Sequence, residues 1–245
     1  MSGHRVVSGQ EWQAARQDHL VKEKEFTRLR DQLSQQRRGL PWERVDKKYV
    51  FDGPEGKESL SEMFDGRSQL IVYHFMFHPD WGEGCPHCSF WADNFNGIIT
   101  HLNHRDATML VISRAPLAQL EAFKRRMGWT FRWLSSFDSD FNFDYQVSSK
   151  AEGAGQGEIE ESGGINVFHK NEGGDIFHTY SCYARGLDML NGAYHYLDLL
   201  PKGRDEAGLT NTQAWVRHHD RYEERPFGGR NGGEAHAGQE PRMHG

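Results

Sequence analysis

Gln69-Leu-Ile-Val-Tyr-His-Phe-Met-Phe77 runs into His78-Pro-Asp-Trp-Gly-Glu-Gly84 and then Cys85-Pro-His-Cys88-Ser-Phe-Trp-Ala-Asp93. The first segment is apolar on both alternating faces. Leu70, Val72, His74 and Met76 lie on one, and Ile71, Tyr73, Phe75 and Phe77 on the other. That pattern predicts a strand covered on both sides, in the middle of a parallel or mixed sheet. Pro79, Gly82 and Gly84 break the run into a loop. Pro86 suits the first position of a helix, where a missing N–H costs nothing. Cys85 then falls at or beside the N-cap, facing free N–H groups and the positive end of the helix dipole. Such a position favours a thiolate over a thiol.

The rest of the chain supports an α/β domain. Ser8-Gly-Gln-Glu11 reads as a capping box opening a long helix. Trp12, Ala15, His19, Phe26, Leu29 and Leu33 recur along it at near-helical spacing, and Gly39 and Pro41 close it. Its one apolar stripe is expected to pack on the domain or on a second subunit. Tyr49–Gly56 predicts a strand and turn, and Lys57–Phe64 a small strand or helical turn. A helix after Cys88 is interrupted at Asn96-Gly97 and resumes to about His104. Ala107–Ser113 predicts a second buried strand, Pro116–Met127 a helix closed by Gly128, and Thr130–Ser135 an aromatic strand. The acidic, glycine-rich stretch 148–164 predicts a mobile loop. Ile165–His169 and Asp175–Tyr180 flank Asn171-Glu-Gly-Gly174, a hairpin signal. Leu187, Leu190, Tyr194 and Leu197 predict a last amphipathic helix, stopped by Pro201. From Arg221 onward few apolar residues remain, the composition of a disordered tail. The expected organisation is a helical extension over 8–40, one domain over 41–223 and a tail over 224–245.

Composition narrows the function. With 245 residues and a formal net charge of -6, nothing points to nucleic acid. No apolar stretch approaches the ~20 residues of a membrane span, and Met1–Gln10 lacks a signal-peptide core. A cytoplasmic protein is expected, where structural disulfides are rare. Three cysteines then read as one functional pair, Cys85 and Cys88, with Cys182 an inert buried thiol on or just past the last strand. Thiol–disulfide exchange needs an exposed attacking thiolate and a nearby resolving thiol. Cys85 is the expected attacker, Cys88 the resolver, and His87 the group that further stabilises the thiolate. The expected partners are protein or small-molecule thiols and disulfides, with no cofactor. The alternative is a non-catalytic binding protein with zinc held by a subset of His74, His78, Cys85, His87 and Cys88. Trp81, Trp91, Trp129 and Trp133 read as core or rim packing, with Trp81 on the lip of the site.

With Cys-x-x-Cys between a buried strand and its helix, the order of elements resembles the thioredoxin fold, and Val50–Phe64 resembles the entry of its peroxiredoxin-like branch. Leu40-Pro-Trp42, Tyr73-His-Phe-Met-Phe77, Cys88-Ser-Phe90, Ile112-Ser-Arg-Ala-Pro116, Met127-Gly-Trp129, Phe177-His-Thr-Tyr-Ser181 and Ala184-Arg-Gly-Leu187 carry a closer resemblance. They are similar to a bacterial family catalogued as domain of unknown function 899. The family is described as predicted thioredoxin-like dithiol-disulfide oxidoreductases. That resemblance implies a thioredoxin-like central mixed sheet flanked by helices, to which the N-terminal helix read above is an addition, and a dithiol activity consistent with the Cys85–Cys88 pair. Two departures stand out. Thioredoxin-type enzymes place a cis-proline where this chain has Ser162-Gly-Gly-Ile165. Peroxiredoxins place a proline and a Thr or Ser ahead of the reactive cysteine, where this chain has His78 and Gly82.

Overall fold

The computed structural model describes residues 3–150 and 159–223. The strands are β1 (Glu43–Arg44), β2 (Val50–Gly53), β3 (Gly56–Ser59), β4 (Gln69–His74), β5 (Ala107–Ser113) and β6 (Trp133–Ser135). They continue as β7 (Ser148–Lys150), β8 (Ile159–Glu161), β9 (Gly164–Lys170) and β10 (Ile176–Tyr183). The helices are α1 (Gly9–Arg38), α2 (Pro86–Ala92), α3 (Ile99–Asn103), α4 (Leu117–Arg126), α5 (Phe141–Asp144) and α6 (Gly192–Leu197). Eight strands form one mixed sheet in the order β1-β10-β9-β4-β5-β6-β2-β3. β4, β5 and β6 run parallel, and β9 and β10 run antiparallel beside β4. A helix-connected parallel pair flanked by an antiparallel hairpin is the thioredoxin-like arrangement, with the β6 position and the β2–β3 entry of its peroxiredoxin-like branch.

β4 lies at the centre because both its faces are apolar. Tyr73 and Ile71 point into one cluster with Cys88, Trp91, Phe95, Val111, Phe123 and Trp133. Leu70 and Val72 point into the other with Met63, Phe64, Leu110, Leu134, Phe141 and Phe168. Each fully buried aliphatic or aromatic side chain stabilises by ~1.5–3 kcal/mol. Regular pairing of β4 stops at His74, three residues short of the apolar run's end. The backbone nonetheless stays beside β5, with Phe75 N donating to Ile112 O and Ala115 N to Phe77 O. Trp91, Trp129 and Trp133 are buried and Trp81 half-buried.

Two expectations need correcting. The stretch 148–164 is not a plain loop: its arms pair as the ribbon β7–β8, Ser148 opposite Glu161, while 151–158 lies outside the described residues. Arg114 anchors that ribbon, as described below. The last helix is broken in two, a 3-10 turn over Ala184–Leu190 and then α6. Asn191 takes an extended conformation between them, and its side chain accepts from Tyr194 N as a cap, so the sequence periodicity ran through a helix start. Regular structure reaches Arg221, which is the end of a 3-10 turn; the tail over 224–245 lies outside the described residues. α1 forms as predicted: Ser8 accepts from Glu11 N, and Glu11 accepts from Ser8 N. No described helix is long and apolar enough to cross a membrane.

Candidate functional site

Cys85 is the N-cap of α2, and Pro86 is the first helical residue. Two backbone bonds fix it there. Cys85 N donates to Met76 O at 3.0 Å, tying the motif to the end of the β4 run, and Ser89 N donates to Cys85 O. The site therefore stands beyond the carboxyl ends of the parallel strands, where open α/β sheets place ligands. Gly84 makes this approach feasible. A methyl group there would lie 2.6 Å from Phe75 Cε1 and 2.9 Å from Phe123 Cε1.

The two sulfurs sit in different surroundings. Cys85 is half-buried and Cys88 is buried. Met76 N donates to Cys88 Sγ at 3.4 Å, and Gly163 lies over the same sulfur, its absent Cβ 3.5 Å away. The Ser162–Ile165 stretch thus faces the cysteines as the thioredoxin cis-proline segment would, with glycine in the facing position. The Cys85 thiol is pushed well below its ordinary range, chiefly by a hydrogen bond from the Cys88 thiol. Hydrogen bonding and charge from His87 add to this, against the opposing cost of burial. The Cys88 thiol is pushed well up by burial and by the Cys85 charge beside it. His87 is raised: bonding to Cys85 outweighs a burial cost that is the largest single influence on it.

A segment with no role assigned from the sequence completes the surroundings. Residues 213–222 cross α2 as a strap. His87 Nε2 donates to Gln213 O at 3.3 Å, which leaves Nδ1 for Cys85. His218, buried, has Nε2 2.8 Å from Gly84 O. Trp215 packs edge-on against Phe90 at 5.4 Å. Arg126 on α4 grips Asp220 and also Glu83 in the loop before Cys85, and Arg221 grips Glu83. The sequence signal was a short apolar run, Ala214-Trp-Val216, in a mostly polar stretch. A hollow of about 680 Å³ opens on the outer flank of α2, lined by Phe90, Asp93, Tyr196, Leu200 and Trp215 among others, and touches neither cysteine.

The remaining histidines do not join the pair. His74 points to the opposite face of the sheet, stacked 5.5 Å from Phe141, with Nε2 2.9 Å from Asn166 Nδ2. Burial pushes it down to about 3, so it is neutral. His78 packs near Trp81, with ring centroids 6.1 Å apart. No group of three or more His, Cys, Asp or Glu side chains converges to hold a metal among the described residues. Cys182 is in β10 as expected but is half-buried, not buried. β1 pairs only with His178 and Phe177, so the Cys182 end of β10 is left without an outer neighbour among the described residues.

At the end of β5, Arg114 forms an ion pair with Glu161 at 2.7 Å, both side chains nearly covered, and Ser148 donates to the same carboxylate. This pair binds the β7–β8 ribbon, two residues before Gly163, to the edge of the site.

The family model described as "Bacterial protein of unknown function (DUF899)" matches residues 1–222. No curated protein matches the sequence. Among solved structures, a cysteine-to-serine mutant of peroxiredoxin Q from Xanthomonas campestris is similar at 13% identity, covering 61% of this chain and 89% of that one, with a TM-score of 0.45. The peroxidoxin BcpB of Mycobacterium tuberculosis is similar at 12% identity, covering 61% and 92%, with a TM-score of 0.46.

Proposed function

We propose that this chain, which belongs to the bacterial DUF899 family, is a cytoplasmic thiol–disulfide oxidoreductase or thiol redox sensor that works through Cys85-Pro-His-Cys88. One observation carries the reading. A half-buried cysteine stands at the N-cap of a helix, and a buried cysteine lies one turn below it under Gly163. In the forward half-reaction the Cys85 thiolate attacks one sulfur of a partner disulfide. A Cys85–partner disulfide forms and the partner's other sulfur leaves as a thiolate. The negative charge that held the Cys88 proton in place is then gone. Cys88 gives that proton to the departing thiolate and attacks Cys85 Sγ. The mixed disulfide breaks, the second partner sulfur leaves, and Cys85–Cys88 closes. The partner gains two electrons and the protein dithiol loses two; a dithiol reductant reverses the step. His87, held by the strap's Gln213 carbonyl, supports the thiolate at the outset. The domain over 41–223 carries this chemistry in the proposal, with α1 as an extension over 8–40.

The experiment is trapping. Cys88→Ser should hold partner proteins as mixed disulfides through Cys85, and Cys85→Ser should hold few. Equal trapping by both variants contradicts the assigned roles. Trapping by neither contradicts the oxidoreductase reading.

A further inference from the structure

α1 has 30 residues and so extends about 45 Å. Among the described residues none of its side chains is buried. Its apolar stripe is open: Trp12 is 57% exposed, Phe26 66%, Leu29 52% and Leu33 51%. The domain is therefore not what covers it. Near its end the helix meets the body, where the Arg37 guanidinium sits 4.7 Å over the Tyr180 ring.

The stripe has a seven-residue repeat. Trp12, His19, Phe26, Leu33 and Leu40 are each seven apart, the last just beyond the helix. Ala15 and Leu29 fall between them at the alternate seam positions, with Lys22 and Gln36 in the other two. Such a seam suits a partner helix in a left-handed coiled coil, with the polar positions limiting register. The flanks identify the partner. Glu11, Asp18 and Glu25 line one side of the seam, and Arg16 and Arg30 the other, with Glu23 the exception. In a parallel pair each acidic flank meets the other helix's basic flank: Glu11 faces Arg16 and Glu25 faces Arg30, twice each by symmetry. The one opposed pair, Asp18 and Glu23, is softened because Glu23 already pairs with Arg16 in its own helix at 2.7 Å. An antiparallel pair would bring acid to acid and base to base.

We infer that α1 is a self-association element: two copies of this chain join through a parallel two-stranded coiled coil along the Trp12–Leu33 seam. The interface is isologous, and each copy contributes the same stripe. Both catalytic bodies then stand at the same end of the coil.

Sedimentation equilibrium on the full chain at micromolar concentration tests this. The expected mass is twice that of one chain. Phe26→Glu together with Leu33→Glu, both exposed positions, should halve it while far-UV circular dichroism still reports a folded protein. In a Cys85→Ser, Cys88→Ser, Cys182→Ser background, Leu33→Cys should cross-link to its own copy on mild oxidation, because a parallel seam brings like positions together. A monomeric native chain, a dimer that survives the glutamate pair, or a dimer in which Leu33→Cys fails to cross-link would each overturn the proposal.

Discussion

Cys85 and Cys88 differ by three positions in sequence, yet the helix start sends them to opposite chemistries. The first takes the neighbouring thiol's proton, His87 and the Cys88 backbone N–H; the second takes burial and a neighbouring charge. Alkylation of the reduced protein should thus be fastest at Cys85 and persist below pH 7, where an ordinary thiol with a pKa near ~8.5 has slowed. His87→Gln removes one hydrogen bond to a charged sulfur, worth ~1.5–3 kcal/mol, and should slow Cys85 alkylation at pH 6 by roughly tenfold or more. A rate unchanged by His87→Gln would remove His87 from the site. His74 acts at a distance from the pair, on stability. Its folded pKa is about 3, below the ordinary 6.5. Between those values the unfolded chain binds a proton the folded chain refuses. Stability should fall as pH drops from 6.5 toward 3, at up to ~1.4 kcal/mol per pH unit from this residue. Urea unfolding across that window should show a shallower fall for His74→Gln than for the native chain. The placement of the cysteine pair at a helix start was legible in Cys-Pro-His-Cys because a proline after a breaker-rich loop marks such a start. Gln213 O and Met76 N were not legible, since a backbone group's target depends on where distant segments cross.

The elements that border the site owe their places to polar anchors rather than to periodicity. The β7–β8 ribbon shows this most clearly. Its composition reads as loop, yet Arg114 and Glu161 pair beneath it with little solvent access. Removing one partner strands the other, so Arg114→Leu should cost about 3–5 kcal/mol in urea unfolding. Arg114→Leu with Glu161→Leu should recover much of that loss. If the double variant is no more stable than the single, the pair is not what holds the ribbon. The apolar run of β4, the strand β5 and the hairpin β9–β10 were all legible, because alternation and turn residues are local signals. The split of the last helix was not, because Asn191 caps α6 while Leu187 and Tyr194 keep a helical spacing across the break. Nor was the strap, whose hold comes from Arg126, Glu83, Asp220 and Arg221, residues 94 and 138 positions apart in their pairings.

At the scale of the molecule, one mixed sheet separates two apolar clusters and presents the motif at the carboxyl ends of its parallel strands. The succession of β4, β5 and β6 with helices between them was legible because each crossover needs a helix between parallel neighbours, and the sequence supplies one at each place. What covers α1 was not legible from its stripe alone; the structure excludes the chain's own domain among the described residues. The central claim is that Cys85 and Cys88 form a reversible disulfide with each other. Intact mass of the protein, first reduced and then exposed to a small-molecule disulfide, tests it most directly, with metal content measured on the same sample. The account predicts the loss of two hydrogens, mapped by digestion to Cys85–Cys88, reversed by dithiol reductant and equally present in Cys182→Ser. A mass that does not change, a stable adduct on Cys85 that Cys88 never displaces, or stoichiometric zinc in the reduced protein would contradict it.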